Sequence, residues 1–129
     1  MKRIISTLLV CVLLIGCVFT LASCGTPAAN PEDAKAALTE AGYAVTLTEN
    51  TTKYAGLKYT LFAYKNDLLE KQYDFIEIYY FGDEASANTA WETLKTVFEE
   101  EAKKVDVEYA IEGSMVYMGT PDAISGAEK

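Results

Sequence analysis

Residues 73–81 of this 129-residue chain are YDFIEIYYF, and they have its strongest β-strand character. Aromatic and β-branched residues dominate the stretch and occupy both of its faces, which is typical of a strand at the centre of a sheet. Gly82 and Asp83 follow, and they break the strand and cap a helix. The fold prediction therefore starts from residues 73–81 as the central strand.

The chain on both sides of this strand carries helical patterns. Apolar side chains at helical spacing predict a long helix over Glu84–Lys104, with Trp91 at the centre of the core. A first helix is predicted from Pro31, capped by Asn30, to the terminating Gly42. A short last helix is predicted to begin at Thr120, where a cap, a proline and an acidic residue follow one another.

Four further strands are predicted from alternating apolar and polar residues. They are Tyr43–Thr48, Leu57–Tyr64, Val105–Glu112 and Met115–Met118. Short connections within the strand groups favour antiparallel neighbours. The order α-β-β-β-α-β-β-α thus predicts an α+β fold: a two-layer sandwich of an about five-stranded, mainly antiparallel sheet with the two main helices on one face.

The N-terminus has the three parts of a secretory signal. Lys2 and Arg3 form a basic start, an apolar run follows from Ile4 to Thr20, and small residues precede Cys24. The stretch Leu21-Ala22-Ser23-Cys24 resembles the lipobox of bacterial lipoprotein precursors at all four positions. The alternative is a retained transmembrane helix, because about 20 apolar residues can span a bilayer. The missing basic stop-transfer cluster weighs against that alternative.

The resemblance implies that residues 1–23 are a signal peptide and that Cys24 becomes the lipidated first residue of the mature chain. A diacylglyceryl thioether would give the protein two hydrocarbon chains, such as palmitate, which is enough for stable anchoring. The protein would then be attached to the cell membrane on the extracytoplasmic side. Residues 24–30 are interpreted as the lipidated cysteine with its tether, and residues 31–129 as a single α+β domain.

Composition excludes several classes of function. The chain has 11 basic and 19 acidic residues and no histidine, and removal of Lys2 and Arg3 leaves nine basic residues, no arginine and a formal charge of −10. Ser-His, Cys-His and zinc–histidine sites cannot be built without histidine. Without arginine there is no bidentate fork for phosphate or carboxylate. The acidic balance argues against nucleic acid as a partner.

No sequence motif indicates catalysis or metal binding. The chain contains no D-x-D-x-D-G run, glycine-rich phosphate loop, nucleophile elbow or Ser-x-x-Lys motif. Carboxylates are numerous, but a glycosidase needs a deep cleft with two acids at a set separation. We therefore expect no enzyme activity, no cofactor and no metal, with a small carboxylate-dependent enzyme as the weaker alternative.

Strand alternation gives a local site hypothesis. The side chains predicted to face the helices are Val45, Leu47, Ile76, Ile78, Tyr80, Val105, Val107 and Ile111. Those predicted to face away form an aromatic band around one carboxylate: Phe62, Tyr64, Phe75, Glu77, Tyr79 and Tyr117, with Lys58 nearby. On the open face of a two-layer fold, such a band often marks a partner or ligand surface. The alternative is that a helix or loop covers the band, or that its members are cross-strand pairs that stabilise the sheet.

The expected function follows from location and composition together. We expect a lipid-anchored, extracytoplasmic, non-enzymatic domain that acts as an accessory or binding module of the cell envelope. Its expected partners are the membrane, through Cys24, and a membrane-proximal protein. The alternative is a structural or stress-related envelope lipoprotein with no defined ligand.

Overall fold

A computed structural model describes residues 26–49, 53–67 and 72–128 of the chain. The helices are α1 Pro31–Glu40, α2 Glu84–Ala102 and α3 Pro121–Gly126. The strands are β1 Ala44–Glu49, β2 Leu57–Asp67, β3 Gln72–Phe81, β4 Glu108–Glu112 and β5 Met115–Gly119. The α+β class and the predicted element order are confirmed. The predicted signal peptide and Cys24 lie outside the described residues.

The strands form one five-stranded sheet in the order β1-β2-β3-β5-β4. Every neighbouring pair is antiparallel, as the short connections predicted. Strand β3 is the centre of the sheet, where Ile76 pairs with Ala63 of β2 on one side and with Gly119 of β5 on the other. The central position predicted for residues 73–81 is thus confirmed.

The helices cover opposite faces of the sheet, which corrects the predicted two-layer arrangement with both main helices on one face. Helices α1 and α3 cover the face that carries Ile76 and Ile78. Helix α2 covers the other face, where its Phe98 packs in one cluster with Phe75 and Tyr79. Because β3 is apolar on both faces, a single helical layer would leave one of them in water, and a cover on each side buries both.

Strand β4 is shorter than predicted, and its residue Ile111 lies on the opposite face of the sheet from the one predicted. It begins at Glu108, so Val105 lies in the exposed loop before it. Val107 and Ile111, predicted on the face of Ile76, pack in the cluster beneath α2. The register of β4 against β5 decides which face Ile111 occupies. Ile111 pairs with Val116, which lies beneath α2. Alternation within one strand does not specify that register.

Trp91 lies at the margin of the core and not at its centre. It is half-buried, and its ring packs beside those of Phe98 and Tyr109 at centroid distances of 6.5 and 6.2 Å. Phe98, two turns further along α2, is the largest of the fully buried side chains among the described residues. The prediction of Trp91 as the core centre was therefore wrong, although the apolar stripe of α2 does face the sheet.

The capping residues predicted at the helix starts are confirmed for α1 and α2 but not for α3. The side chain of Asn30 accepts the Glu32 N–H at 2.9 Å, and Asp83 caps α2 in the same way. Thr120 precedes α3 but makes no side-chain cap. Its hydroxyl oxygen instead accepts the N–H of Phe75 at 3.2 Å and so extends the contact between β5 and β3.

The folded domain begins before α1, which moves the predicted boundary at residue 31 towards the N-terminus. Pro27 and Ala28 are buried. The N–H of Ala28 donates to the carbonyl of Ala127 at 3.0 Å, and the Tyr80 hydroxyl donates to the carbonyl of Ala28 at 2.9 Å. Residues from Pro27 onward therefore belong to the folded domain. The predicted tether of residues 24–30 is shortened to residues 24–26.

Gly119 is expected to resist substitution because two strands meet at it. A Cβ there would lie 2.8 Å from the Phe75 carbonyl oxygen and 2.9 Å from the Ile76 Cβ. We expect Gly119→Ala to lower the free energy of unfolding by about 1–3 kcal/mol, measured by denaturant titration. Gly126→Ala is the control, because its Cβ would meet its nearest neighbours at 3.4 Å or more. An equal decrease in the free energy of unfolding in the two variants would contradict a steric role of Gly119.

Candidate functional site

The structure divides the predicted aromatic band between the two faces of the sheet. Tyr117 packs on the face covered by α1 and α3, because it pairs with Ile78 across the β3–β5 ladder. Its placement in the band is thereby corrected. The other five members lie together on the face of α2: Phe62, Tyr64, Phe75, Glu77 and Tyr79. Lys58, predicted nearby, is exposed on β2.

Helix α2 covers one part of this face and leaves another part open. Phe75 and Tyr79 are only 9% and 7% exposed, so the prediction of an open aromatic face is wrong for them. They belong to the core beneath α2. Towards β2 the cover is incomplete, because Phe62 and Glu77 are half-buried and Tyr64 is exposed.

A groove of about 530 Å³ lies where the cover ends, between the β2–β3 pair and the C-terminal half of α2. Strand residues that line it are Phe62, Tyr73, Phe75, Glu77 and Tyr79, and helix residues are Leu94, Val97, Phe98 and Glu101. Lys53, Tyr54, Val105 and Met118 complete the lining. We call this feature the tyrosine groove. Its volume is in the range of small-molecule sites.

The exposed apolar side chains of residues 26–49, 53–67 and 72–128 gather at this groove. Tyr64, Tyr73, Val97 and Val105 are the large hydrophobic side chains with high exposure, between 41% and 56%. Three of them line the groove, and the ring of Tyr64 lies 6.3 Å from that of Tyr73. Grouped exposed apolar side chains mark binding surfaces more often than scattered ones do.

The aromatic rings form a connected row along the strands. From β2 to β3 the row runs Phe62, Tyr64, Tyr73 and Phe75, with successive centroid distances of 6.0, 6.3 and 5.7 Å. Tyr54, from the connection before β2, meets Tyr79 edge to face at 6.0 Å. Contacts of this kind favour the observed relative positions of the rings.

Glu77 is the charged side chain on the strand side of the groove. The hydroxyl of Tyr79 donates a long hydrogen bond of 3.4 Å to its carboxylate. Burial raises the pKa of the Glu77 carboxyl above its ordinary value, while the Tyr79 hydrogen bond and the charge of Lys53 oppose the shift and Glu101 adds to it. The ionised form of Glu77 is therefore held in an unfavourable, partly dry position.

A second depression of about 560 Å³ adjoins the tyrosine groove and shares Tyr73, Phe75 and Val105 with it. Its other polar lining includes three carboxylates, from Asp74, Asp106 and Asp122. The surroundings of the tyrosine groove on this side are thus negatively charged as well.

Sequence reasoning found the strand side of the groove and missed the helix side. Alternation along β2 and β3 identified Phe62, Phe75, Glu77 and Tyr79 as neighbours on one face. Val97 follows the helical spacing of the buried residues of α2, but it is exposed at the margin of their stripe. Tyr54 lies in the connection before β2, where its aromatic ring is the only local signal of a role in the groove.

Comparisons with protein-family models, with curated proteins and with solved structures give no match to this chain. In the part of the chain that the structure describes, no group of three or more His, Cys, Asp or Glu side chains is placed to hold a metal ion. Among the same residues, no helix combines the length and the apolar character needed to cross a membrane.

Removal of the Glu77 charge is expected to stabilise the domain at neutral pH. Because the folded-state pKa of this acid lies above its unfolded-state pKa, the folded chain binds more protons between the two values, and stability falls as pH rises through them. Glu77→Gln should therefore be more stable than the natural protein at pH 7 and lose that advantage below the unfolded-state pKa of about 4.3.

Denaturant titrations at pH 7 and pH 4 measure this difference. Glu92→Gln, on the exposed side of α2, is the matched control and should change stability little at either pH. A Glu77→Gln variant that is less stable than the natural protein at pH 7 would show that the ionised carboxylate is a structural partner instead.

Proposed function

We propose that this protein is a lipid-anchored, extracytoplasmic, non-enzymatic binding domain of the cell envelope, and that the tyrosine groove is its binding surface. The observation that carries the proposal is the coincidence of three features at one place: a groove lined by aromatic rings, the exposed apolar side chains around it, and the half-buried Glu77. The half-buried charge of Glu77 costs folding stability, and such costs are typical of functional sites.

The properties of Tyr79 in the groove support binding over catalysis. Burial raises the pKa of the Tyr79 hydroxyl, so this group remains protonated and is a poor general base. The chain has no histidine that could act as an acid or base near neutral pH. The hydroxyl–carboxylate pair in the groove, Tyr79 and Glu77, is joined by a long hydrogen bond of 3.4 Å, which is outside the range of about 2.6–3.2 Å expected of a nucleophile and its base.

The proposed anchor also gives the groove an orientation. Cys24 and the buried Pro27 are three residues apart, so the lipid can lie at most about 10 Å from the folded domain. Ala28 joins the cluster beneath α1 and α3, whereas the groove lies on the opposite face of the sheet. The proposal therefore places the α1 and α3 side towards the bilayer and the groove away from it.

The anchor is tested at Cys24. In the full chain expressed in a bacterium with lipoprotein processing, we expect the protein in the membrane fraction, with an N-terminal peptide whose mass includes a diacylglyceryl group on Cys24. Cys24→Ala should remain uncleaved and lack that mass, because the thioether needs the sulfur. An unmodified Cys24 in the purified natural protein would overturn the proposed anchor.

The groove is tested by fragment binding to the full chain, purified in non-ionic detergent and followed by ¹H–¹⁵N NMR. The fragment set contains cationic, neutral and anionic compounds, and we expect some of them to shift the amide signals of groove residues. The double variant Tyr73→Ala, Val97→Ser should reduce those shifts severalfold, because it removes two exposed side chains that border the groove. Thr93→Ala, on the exposed side of α2, is the control and should retain them.

Shifts that scatter over the surface, or that survive in the double variant, would contradict the assignment of the groove as the binding surface. A structural envelope lipoprotein with no defined ligand would give that result. The variants avoid Phe75 and Tyr79, since their burial means that truncation would unfold the domain instead of testing the site.

A further inference from the structure

The tyrosine groove has a chemical preference that can be derived from its charges. Its lining contains two carboxylates, Glu77 and Glu101, and one ammonium group, that of Lys53. Lys53 lies over the ring of Tyr54, 5.7 Å from the ring centroid. In the described ranges the ion pair is Lys103–Glu100, on the exposed end of α2, so neither groove carboxylate is paired with a lysine.

The central carboxylate has no hydrogen-bonded cationic partner: Lys53 attracts its charge from within the groove but forms no ion pair with it. A half-buried carboxylate is usually stabilised by a cation or by several N–H donors. Glu77 receives one long hydrogen bond, from the neutral hydroxyl of Tyr79. A positively charged group in the groove would complete this site, whereas a neutral ligand would remove water from Glu77 and offer nothing in exchange.

The aromatic lining points to the same class of ligand. Rings of Tyr54, Tyr73, Phe75 and Tyr79 line the groove around the carboxylate. Aromatic faces attract ammonium groups, and the position of Lys53 over Tyr54 is an example within this site. Phe62, Val97 and Leu94 add apolar surface, which suits a ligand whose cationic head carries a hydrocarbon body.

Acidic groups outnumber the one ammonium group, Lys53, around the groove and disfavour anions. Asp74, Asp106 and Asp122 line the adjoining depression, and the mature domain contains no arginine. The whole chain carries a formal charge of −8 at pH 7. Long-range attraction and local pairing thus both favour a cation.

We infer that the tyrosine groove binds small organic ammonium ions, with the ammonium head against Glu77 and the apolar body along Phe62 and Val97. The inference rests on the proposed function, because it assumes that the groove is the binding surface. It adds the charge of the ligand and the residue that selects for it.

Three probes of one shape test the charge preference at pH 7: 2-phenylethylamine, 2-phenylethanol and phenylacetate, which are respectively a cation, neutral and an anion. Dissociation constants are obtained from ¹H–¹⁵N NMR titration of the full chain in non-ionic detergent at constant ionic strength. The amine is expected to bind tightest, with its shifts at the groove. Glu77→Gln should weaken the amine by about tenfold or more and leave the alcohol nearly unchanged. Glu92→Gln is the matched control and should retain the amine affinity.

The outcomes separate this inference from the proposed function. Equal affinities for the amine and the alcohol, or amine binding that survives Glu77→Gln, would overturn the cation preference while leaving the groove as the binding surface. If no probe binds but uncharged fragments still bind at the groove, the cation inference fails in the same way. If nothing of any charge binds there, both proposals fail. The amide spectrum of Glu77→Gln verifies that the variant is folded.

Discussion

Strand β3 has no polar face, and the rest of the fold accommodates that constraint. Ile76 and Ile78 need an apolar cover on one side, and Phe75 and Tyr79 need another on the opposite side. Burial of apolar surface is worth about 25 cal/mol per Å², so exposure of either face of the central strand would be a large loss for a domain of this size. Helices α1 and α3 supply the first cover, and α2 supplies the second. Glu77 is the charged exception in the middle of the strand, and it lies where the second cover ends.

The margin of α2 concentrates the unfavourable features of the molecule. A half-buried carboxylate and several exposed apolar side chains lie within one groove, while the opposite side of the sheet packs Leu38, Ile78 and Ile124 with almost no exposure. A domain selected for stability alone would replace Glu77 with an apolar residue and Val97 with a polar one. A bound ligand could compensate for both features, because binding to the folded state stabilises it.

Local sequence signals predicted the helices and strands of this fold. The sheet face on which a helix or a side chain lies depends on long-range contacts, and local signals did not predict it. Alternation marked β1 and β2, and the caps at Asn30 and Asp83 marked two helix starts, because these signals depend on near neighbours. The face chosen by α2 was not predictable, since β3 is equally apolar on both sides. Tyr117 was misplaced for the same reason: its face depends on its pairing with Ile78, a residue 39 positions away. The strand half of the groove followed from alternation, whereas the helix half required knowing where α2 crosses the sheet.

The hydrogen bonds at Ala28 have a mechanical consequence. Ala28 is joined to Ala127 at the end of α3 and to Tyr80 in the central strand, and these bonds lie ahead of α1 along the chain. A force applied at the N-terminus would therefore load the middle of the sheet and the C-terminal helix first. The first helix would be shielded until those two bonds broke. Tension applied at the N-terminal end would thus be resisted first at β3 and the end of α3 and not at the first helix.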